Sequence, residues 1–274
     1  MNYQAVAFDM DGTLLNNQRE ILPETLAVLA KIRQKGIKVI LVTGRHHSVI
    51  YPYYHQLDLN TPAICCNGTY LYDFKQQHYL NARPMTKAQA KTLLSLVNKH
   101  KIHTLLYTDE YMTYEEQDDH LTALFKWIDT LPEFLHPTIQ HVTDFHDVIE
   151  NSKEIFKFAT SSHNLEALRA FSDEVLTLNE FECEWSWINR ADVSLKGNSK
   201  GNGLANWAKN EAIPLENIIV FGDSYNDLSM FKRAGLSIAM GNANDEIKAQ
   251  ADRVIGDNNH PSIAEELTRI FLTE

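Results

Sequence analysis

Apolar positions fall into short, uniformly hydrophobic runs toward both ends of the chain, with alternating and helix-spaced patterns between them. The first run, Ala5-Val6-Ala7-Phe8, ends in Asp9. Pro23 suits the first turn of a helix, Leu26, Leu29, Ala30 and Arg33 follow at helical spacing, and Gly36 stops it. Lys38-Val39-Ile40-Leu41-Val42 is too β-branched and too evenly apolar for anything but a buried parallel strand. Strand, helix, strand is a βαβ unit, whose crossover is expected to be right-handed. The same grammar returns near the other end. Ile218-Ile219-Val220-Phe221 predicts a buried strand, Asn226 to Ala234 a helix closed by Gly235, and Leu236 to Met240 another strand. Asp245 to Ala251 and Ser262 to Leu272 predict the last two helices.

Between these halves the pattern changes. Thr86 with Gln89 forms a capping box opening an amphipathic helix through Ala90, Leu93, Leu94 and Val97. Aromatic-rich strands are predicted at Thr104–Tyr107, Tyr111–Tyr114, Phe156–Thr160 and Cys183–Ile188, with helices at about 119–130 and 163–173. The expected fold class is α/β: a doubly wound, Rossmann-like parallel-sheet core with an inserted α+β module. Its edges are placed near Arg83-Pro84 and Asn189-Arg190, giving a core of 1–84 and 190–274 and an insertion of 85–189.

Composition narrows the function classes. The 274 residues suffice for one large or two ordinary domains. With 44% hydrophobic and 22% charged residues, the chain is neither wholly disordered nor collagenous. Lys+Arg 25 against Asp+Glu 36 leaves −11, which argues against nucleic acid and acidic membranes as partners but permits a local phosphate site. No apolar run approaches the roughly 18 residues of a membrane span, and the N-terminal residues lack a signal-peptide pattern, so a cytoplasmic location is expected. Three cysteines, Cys65, Cys66 and Cys183, suit neither a disulfide framework nor zinc and are expected to be buried thiols.

In an open parallel sheet, ligands bind beyond the carboxyl ends of the strands. Asp9-Met10-Asp11-Gly12-Thr13 follows the first apolar run, Thr43-Gly44-Arg45 the second, and Gly222-Asp223 the third, with Asn226-Asp227 just after. Asp9 and Asp11 share a face of an extended segment, and Asp223 arrives from a neighbouring strand. That carboxylate density calls for a hard divalent cation with oxygen ligands, Mg²⁺ above all. Thr43-Gly44 offers a hydroxyl and backbone N–H groups to an anion. Lys200 stands at a helix start that Ser199 can cap, where a cation opposes the macrodipole and asks for an anionic partner.

Together these residues resemble the haloacid dehalogenase superfamily of phosphotransferases over essentially the whole chain. Asp9 to Thr13 is similar to the first family motif, Thr43-Gly44 to the second, Lys200 to the third, and Gly222-Asp223-Ser224-Tyr225-Asn226-Asp227 to the fourth. The insertion resembles the large C2-type α/β cap of the Cof-type phosphatases. Cys65-Cys66-Asn67-Gly68-Thr69-Tyr70, Glu182 to Trp187 and Gly197 to Gly201 look like the bacterial pyridoxal phosphate phosphatases. The resemblance implies a Mg²⁺-dependent phosphomonoesterase acting on a small phosphorylated metabolite, with pyridoxal 5′-phosphate favoured. Asp9 would be the nucleophile and Asp11 the acid and base. Asp9, the Asp11 main-chain carbonyl and Asp223 would hold the metal, with Asp227 behind them. Met10 N–H, Thr43, Gly44, Lys200 and Asn226 would bind the phosphoryl oxygens. Sugar phosphatase and phosphomutase activities are the alternatives on the same fold, and a non-catalytic phosphometabolite sensor is the alternative outside enzymes.

Other patterns carry less. Gly201-Asn202-Gly203 lacks the third glycine and the ribose-binding acid of a dinucleotide site. The 12 histidines have no closed zinc spacing, although His46 and His47 follow the phosphate turn. Tyr107, Tyr111, Tyr114, Trp127, Trp185 and Trp187 are expected mostly to pack a core.

Overall fold

The computed structural model describes residues 2–273, which form two compact units. The first comprises residues 2–43, 53–81 and 199–273, and the second residues 44–52 and 82–198.

Chain order in the first unit begins with β1 (Ala5–Phe8), α1 (Pro23–Gln34) and β2 (Lys38–Leu41). Helix α2 (His47–Gln56) spans the boundary at residue 52, and β3 (Ala63–Cys65), β4 (Tyr70–Asp73) and β5 (His78–Leu80) follow. The second unit then contributes α3 (Lys87–His100), β6 (His103–Thr108), β7 (Met112–Tyr114), α4 (Asp119–Ile128), β8 (Ile139–His141), α5 (Phe145–Asn151), β9 (Ile155–Ser161), α6 (Leu165–Thr177), β10 (Phe181–Trp187) and β11 (Arg190–Leu195). The chain returns to the first unit with α7 (Lys200–Asn210), β12 (Ile218–Gly222), α8 (Leu228–Phe231), β13 (Leu236–Ala239), α9 (Asp245–Lys248), β14 (Arg253–Val254) and α10 (Ser262–Phe271).

The sheet of the first unit is parallel throughout, in the order β14-β13-β12-β1-β2. Every residue of β1 and β12 is buried, as expected of central parallel strands covered on both faces. Phe8 stacks on Phe221 at 4.9 Å, so the end of β1 is locked beside the paired residue of β12. Trp207, Leu204 and Ala208 of α7 join Ala5, Ala7, Val220 and Ala239 in one apolar cluster. Val42 bridges to Ile64 in parallel, and this carries β3 alongside the end of β2.

The second unit carries a six-stranded sheet in the order β10-β11-β9-β6-β7-β8. Helices α3, α5 and α6 bury Leu93, Ile149, Leu168 and Phe171 against Leu106, Phe158 and Val193 of this sheet. The capping box at Thr86 and Gln89 forms as predicted, with Thr86 Oγ1 accepting from Gln89 N. Side chains alternate across a strand, so Lys157 lies on the face opposite Phe158. Its ammonium lies 2.9 Å from Asp192 and 4.7 Å above the Tyr107 ring, and it donates to the Gly44 carbonyl at 2.6 Å.

Several expectations shift. The edge expected at Asn189-Arg190 cuts the β10–β11 hairpin, because Arg190–Leu195 pairs with both β9 and β10; the unit runs to Asn198. The helix expected at Asn226–Ala234 is a 3₁₀ turn at Tyr225–Asp227 followed by the single turn of α8. Cys65 and Cys66 are buried free thiols, whereas Cys183 is half-buried. Tyr107 is buried and Trp185 packs on the second core, but Trp187 at the hairpin end is 67% exposed.

Candidate active site

The catalytic candidates of the first unit gather where β1 and β12 end side by side. Asp9 extends the ladder by one hydrogen bond, its N–H donating to Phe221 O at 3.0 Å. The chain then coils back on itself, with Thr13 N–H donating to Met10 O and Leu14 N–H to Asp9 O. Gly12 sits in this coil at φ +77°, and a Cβ there would lie 2.4 Å from Asp223 Oδ2. Only glycine fits, since the conformation and the space both exclude a side chain.

Asp223 follows β12 and is pinned from the first motif, where Thr13 Oγ1 donates to its Oδ1 at 2.6 Å. Asp227 lies in the next turn, its Oδ2 accepting from the N–H groups of Asp223 and Ser224 at 2.9 and 3.0 Å. Lys200 is the first residue of α7, whose N-cap Ser199 accepts from Asn202 N–H at 3.1 Å. The Lys200 ammonium donates to Asp9 Oδ1 at 2.6 Å and to Asp227 Oδ1 at 2.7 Å.

This is a buried and unbalanced charge cluster. Burial, then Asp227, raises the Asp9 carboxyl well above the usual carboxylate range, against the pull of Lys200. Burial likewise pushes Asp223 up to about 7, with Asp227 adding to it. Burial alone would lower Lys200, but Asp227 and then Asp9 outweigh it and hold the ammonium well above its ordinary value. Oxygens of Asp9, Asp223 and Asp227 lie within 4.8 Å of one another. Three carboxylates facing one ammonium, all hard oxygen donors, fit a divalent cation such as Mg²⁺. Among the described residues no group containing His or Cys comes together in this way.

The other predicted residues take distinct places. Asp11 lies in the same coil, with an exposed side chain, and Met10 is fully buried. The two oxygens of Asp227 already take three hydrogen bonds, which suits a place behind Asp9 and Asp223. Thr43 is buried, its N–H donating to Ile64 O and its carbonyl accepting from Asn67 N–H, each at 2.9 Å. Asn226 is buried and its Nδ2 donates to Asn67 Oδ1 at 3.2 Å. Gly44 belongs to the second unit, where Lys157 holds its carbonyl. His46 is also committed there: Nε2–H donates to the Thr108 carbonyl at 3.0 Å, and Nδ1 lies 2.9 Å from Ser48 Oγ. A carbonyl can only accept, so this bond fixes the Nε2–H tautomer.

Sequence reasoning passed over two residues of this site, the Thr13 side chain and Asn67. The signal for Asn67 was the Asn67-Gly68 dipeptide, which favours left-handed backbone.

The family profile of haloacid dehalogenase-like hydrolases matches residues 6–267. The chain is 42% identical over 265 residues to pyridoxal phosphate phosphatase YbhA of Escherichia coli, covering 97% of each chain. It is 28% identical over 276 residues to the 5-amino-6-(5-phospho-D-ribitylamino)uracil phosphatase YitU of Bacillus subtilis, again covering 97% of each. A haloacid dehalogenase-like hydrolase from B. subtilis has the same fold, with a TM-score of 0.87 at 24% identity, covering 98% of this chain and 100% of that one. From the strand-end carboxylates to the match along its length, the chain belongs to the haloacid dehalogenase-like hydrolase family.

Proposed function

We propose that the protein is a Mg²⁺-dependent phosphomonoesterase whose preferred substrate is pyridoxal 5′-phosphate. The observation that carries this reading is the state of Asp9. Its Oδ1 is held by a buried lysine, and its Oδ2 has no hydrogen bond among the described residues. An oriented carboxylate with one oxygen left for attack is what a phosphoryl-transfer nucleophile requires. The 42% identity to the E. coli pyridoxal phosphate phosphatase supports the substrate.

Asp9, Asp223 and the Asp11 main-chain carbonyl would hold Mg²⁺, with Asp227 behind them. When bound, the ion neutralises carboxylate charge and stabilises charge on the phosphoryl oxygens. Lys200, Thr43, Gly44, Asn226 and the Met10 N–H position the non-bridging oxygens of the phosphoryl group. Asp9 Oδ2 attacks phosphorus, forming the aspartyl-phosphate bond as the ester P–O bond breaks. Asp11 gives its proton to the departing alkoxide. Water then attacks the same phosphorus, Asp11 takes a proton from it, and inorganic phosphate leaves with Asp9 restored.

The test is phosphate release from a panel of metabolite monoesters, compared by kcat/KM, with and without chelator. Pyridoxal 5′-phosphate should rank first, chelation should silence the enzyme, and Mg²⁺ should restore it. A sugar phosphate in first place would overturn the substrate. Steady turnover by Asp9→Asn would overturn the nucleophile.

A further inference from the structure

One segment that the catalytic reading leaves unused is the loop between β3 and β4, Cys66-Asn67-Gly68. Its three residues all have left-handed backbone, with φ of 49°, 54° and 81°. Residues with a Cβ rarely adopt this conformation singly, and successive ones persist only where the surroundings hold them in place. Three contacts with the first unit do so here.

Asn67 N–H donates to the carbonyl of Thr43 at 2.9 Å. Its Oδ1 accepts from Asn226 Nδ2 at 3.2 Å, and both amides are buried. Gly68 is pressed onto the start of α7, where a Cβ would lie 2.0 Å from Ser199 O. Gly203 mirrors it, since a Cβ there would lie 2.9 Å from the Gly68 Cα. The loop therefore touches the threonine of the second motif, the asparagine of the fourth and the helix start that carries Lys200.

The Asn226 amide depends most on this arrangement. Its one side-chain hydrogen bond among the described residues is the one to Asn67, and its Oδ1 is buried without a partner. Rotation about the last side-chain bond of an asparagine is soft. With one N–H fixed by Asn67, the second N–H of Nδ2 is aimed by default; among the described residues no other hydrogen bond aims it.

We infer that Asn67 is a positioning residue for phosphoryl binding, acting by orienting the Asn226 amide. This rests on the reading of Asn226 as a phosphoryl-oxygen donor. A residue needed only to turn the β3–β4 hairpin would act through its backbone, and glycine would serve as well.

The test is a double-mutant cycle on the Mg²⁺-loaded enzyme, with inorganic phosphate as the probe. Asn67→Gly keeps the left-handed backbone and removes the amide; Asn226→Ala removes the donor. Each should raise the inhibition constant of phosphate by about five- to fifty-fold, the range of coupled buried pairs, and the double variant should be no worse than Asn226→Ala by more than about two-fold. The Mg²⁺ titration midpoint should stay within about two-fold of wild type, because the carboxylates of Asp9, Asp223 and Asp227 are held by Thr13, Lys200 and backbone N–H groups rather than by Asn67.

A wild-type phosphate constant in Asn67→Gly, whatever its unfolding temperature, would overturn the inference. So would independent, multiplying effects of the two substitutions. If Asn226→Ala itself leaves phosphate binding unchanged, the assignment of Asn226 fails as well, and the two failures are thereby told apart. Should Asn67→Gly not fold, Asn67→Asp decides, since it keeps the shape, the acceptor and the tolerance of left-handed backbone. With the acceptor kept, its phosphate constant should stay well below that of Asn226→Ala; a constant as high as that of Asn226→Ala would overturn the inference.

Discussion

Replacing Lys200 with Met probes the charge balance at the heart of the site. Methionine retains most of the apolar stem where the lysine is 1% exposed. It removes an ammonium lying 2.6 Å from Asp9 and 2.7 Å from Asp227. Taking away one partner of a buried ion pair costs about 3–5 kcal/mol, because the charge left behind keeps its desolvation penalty. Two carboxylates lose their partner here, but uptake of a proton limits the penalty, so the loss should stay within that range rather than double. At about 2–4 °C per kcal/mol for a chain of this size, the unfolding temperature should drop by about 6–20 °C. Loss of one preorganised donor to the reacting phosphoryl group should lower kcat by about 10²–10³-fold. Calorimetric unfolding without added metal gives the first quantity, and steady-state kinetics well below the variant's midpoint gives the second. The sign of the pH effect follows from Asp9, whose folded pKa is already raised by burial and would rise further. A folded group that holds its proton more tightly than the unfolded chain contributes stability at low pH that is lost as pH rises. The deficit of Lys200→Met should therefore be largest at alkaline pH and shrink on acidification. An inactive variant with a wild-type unfolding temperature, or a deficit that grows on acidification, would refute the reasoning.

Three further outcomes are expected. Asp11→Asn should lose about 10²–10⁴-fold in kcat/KM on alkyl phosphates and far less on p-nitrophenyl phosphate, whose leaving group needs no proton; equal losses would remove the acid role. With the aryl ester, stopped-flow measurement should show a burst of p-nitrophenol equal to the enzyme concentration. Gly12→Ala would place a Cβ 2.4 Å from Asp223 Oδ2; strain of about 1–3 kcal/mol should weaken Mg²⁺ binding about tenfold or more by calorimetric titration, and unchanged affinity would place the ion elsewhere. His46 is held neutral by burial, its pKa lowered from 6.5 to about 4. The unfolded chain takes up that proton first as pH falls, so about 2 kcal/mol should be lost by pH 5. His46→Gln should flatten this part of a urea-unfolding profile, and parallel profiles would contradict it.

What was legible in the sequence is what local chemistry decides. The apolar runs of β1, β2 and β12 read as buried strands because parallel strands covered on both faces have no polar side to show. The caps at Thr86 and Ser199 read correctly because capping needs only neighbours three residues away. Strand β11 did not, for a non-local reason: Asp192 interrupts its apolar pattern, and the partner that makes its burial tolerable is Lys157, on β9. Helix α2 was hidden by Pro52 within it, and β8 by its brevity and its polar Gln140 and His141. In the site, strand order brings Asp9 and Asp223 together, so their meeting could be anticipated from the βαβ pattern. The contact of Asn67 with Asn226 could not, because it joins residues 159 apart through a loop whose conformation no periodicity announces.

The electrostatics of the site also impose an order on its ligands. Three carboxylates against one ammonium make the buried cluster repel a phosphate dianion as it stands. Lys200 does not reverse that sign, since its charge is shared between Asp9 and Asp227 at hydrogen-bond distance. The amino end of α7 adds partial positive charge at the same place, but only about half an elementary charge. On the proposed reading, a divalent cation among the carboxylates would turn the cluster from net negative to near neutral, leaving the helix end and the Lys200 ammonium to act on the phosphoryl oxygens with little opposition. Phosphoryl affinity should then be linked to metal occupancy, and by reciprocity a bound phosphoryl group should tighten the metal. The lysine at the helix start, which runs against the macrodipole on its own, follows from the same logic: its position is tolerated because Asp9 and Asp227 flank it, and the two carboxylates can lie close together because the lysine is shared between them.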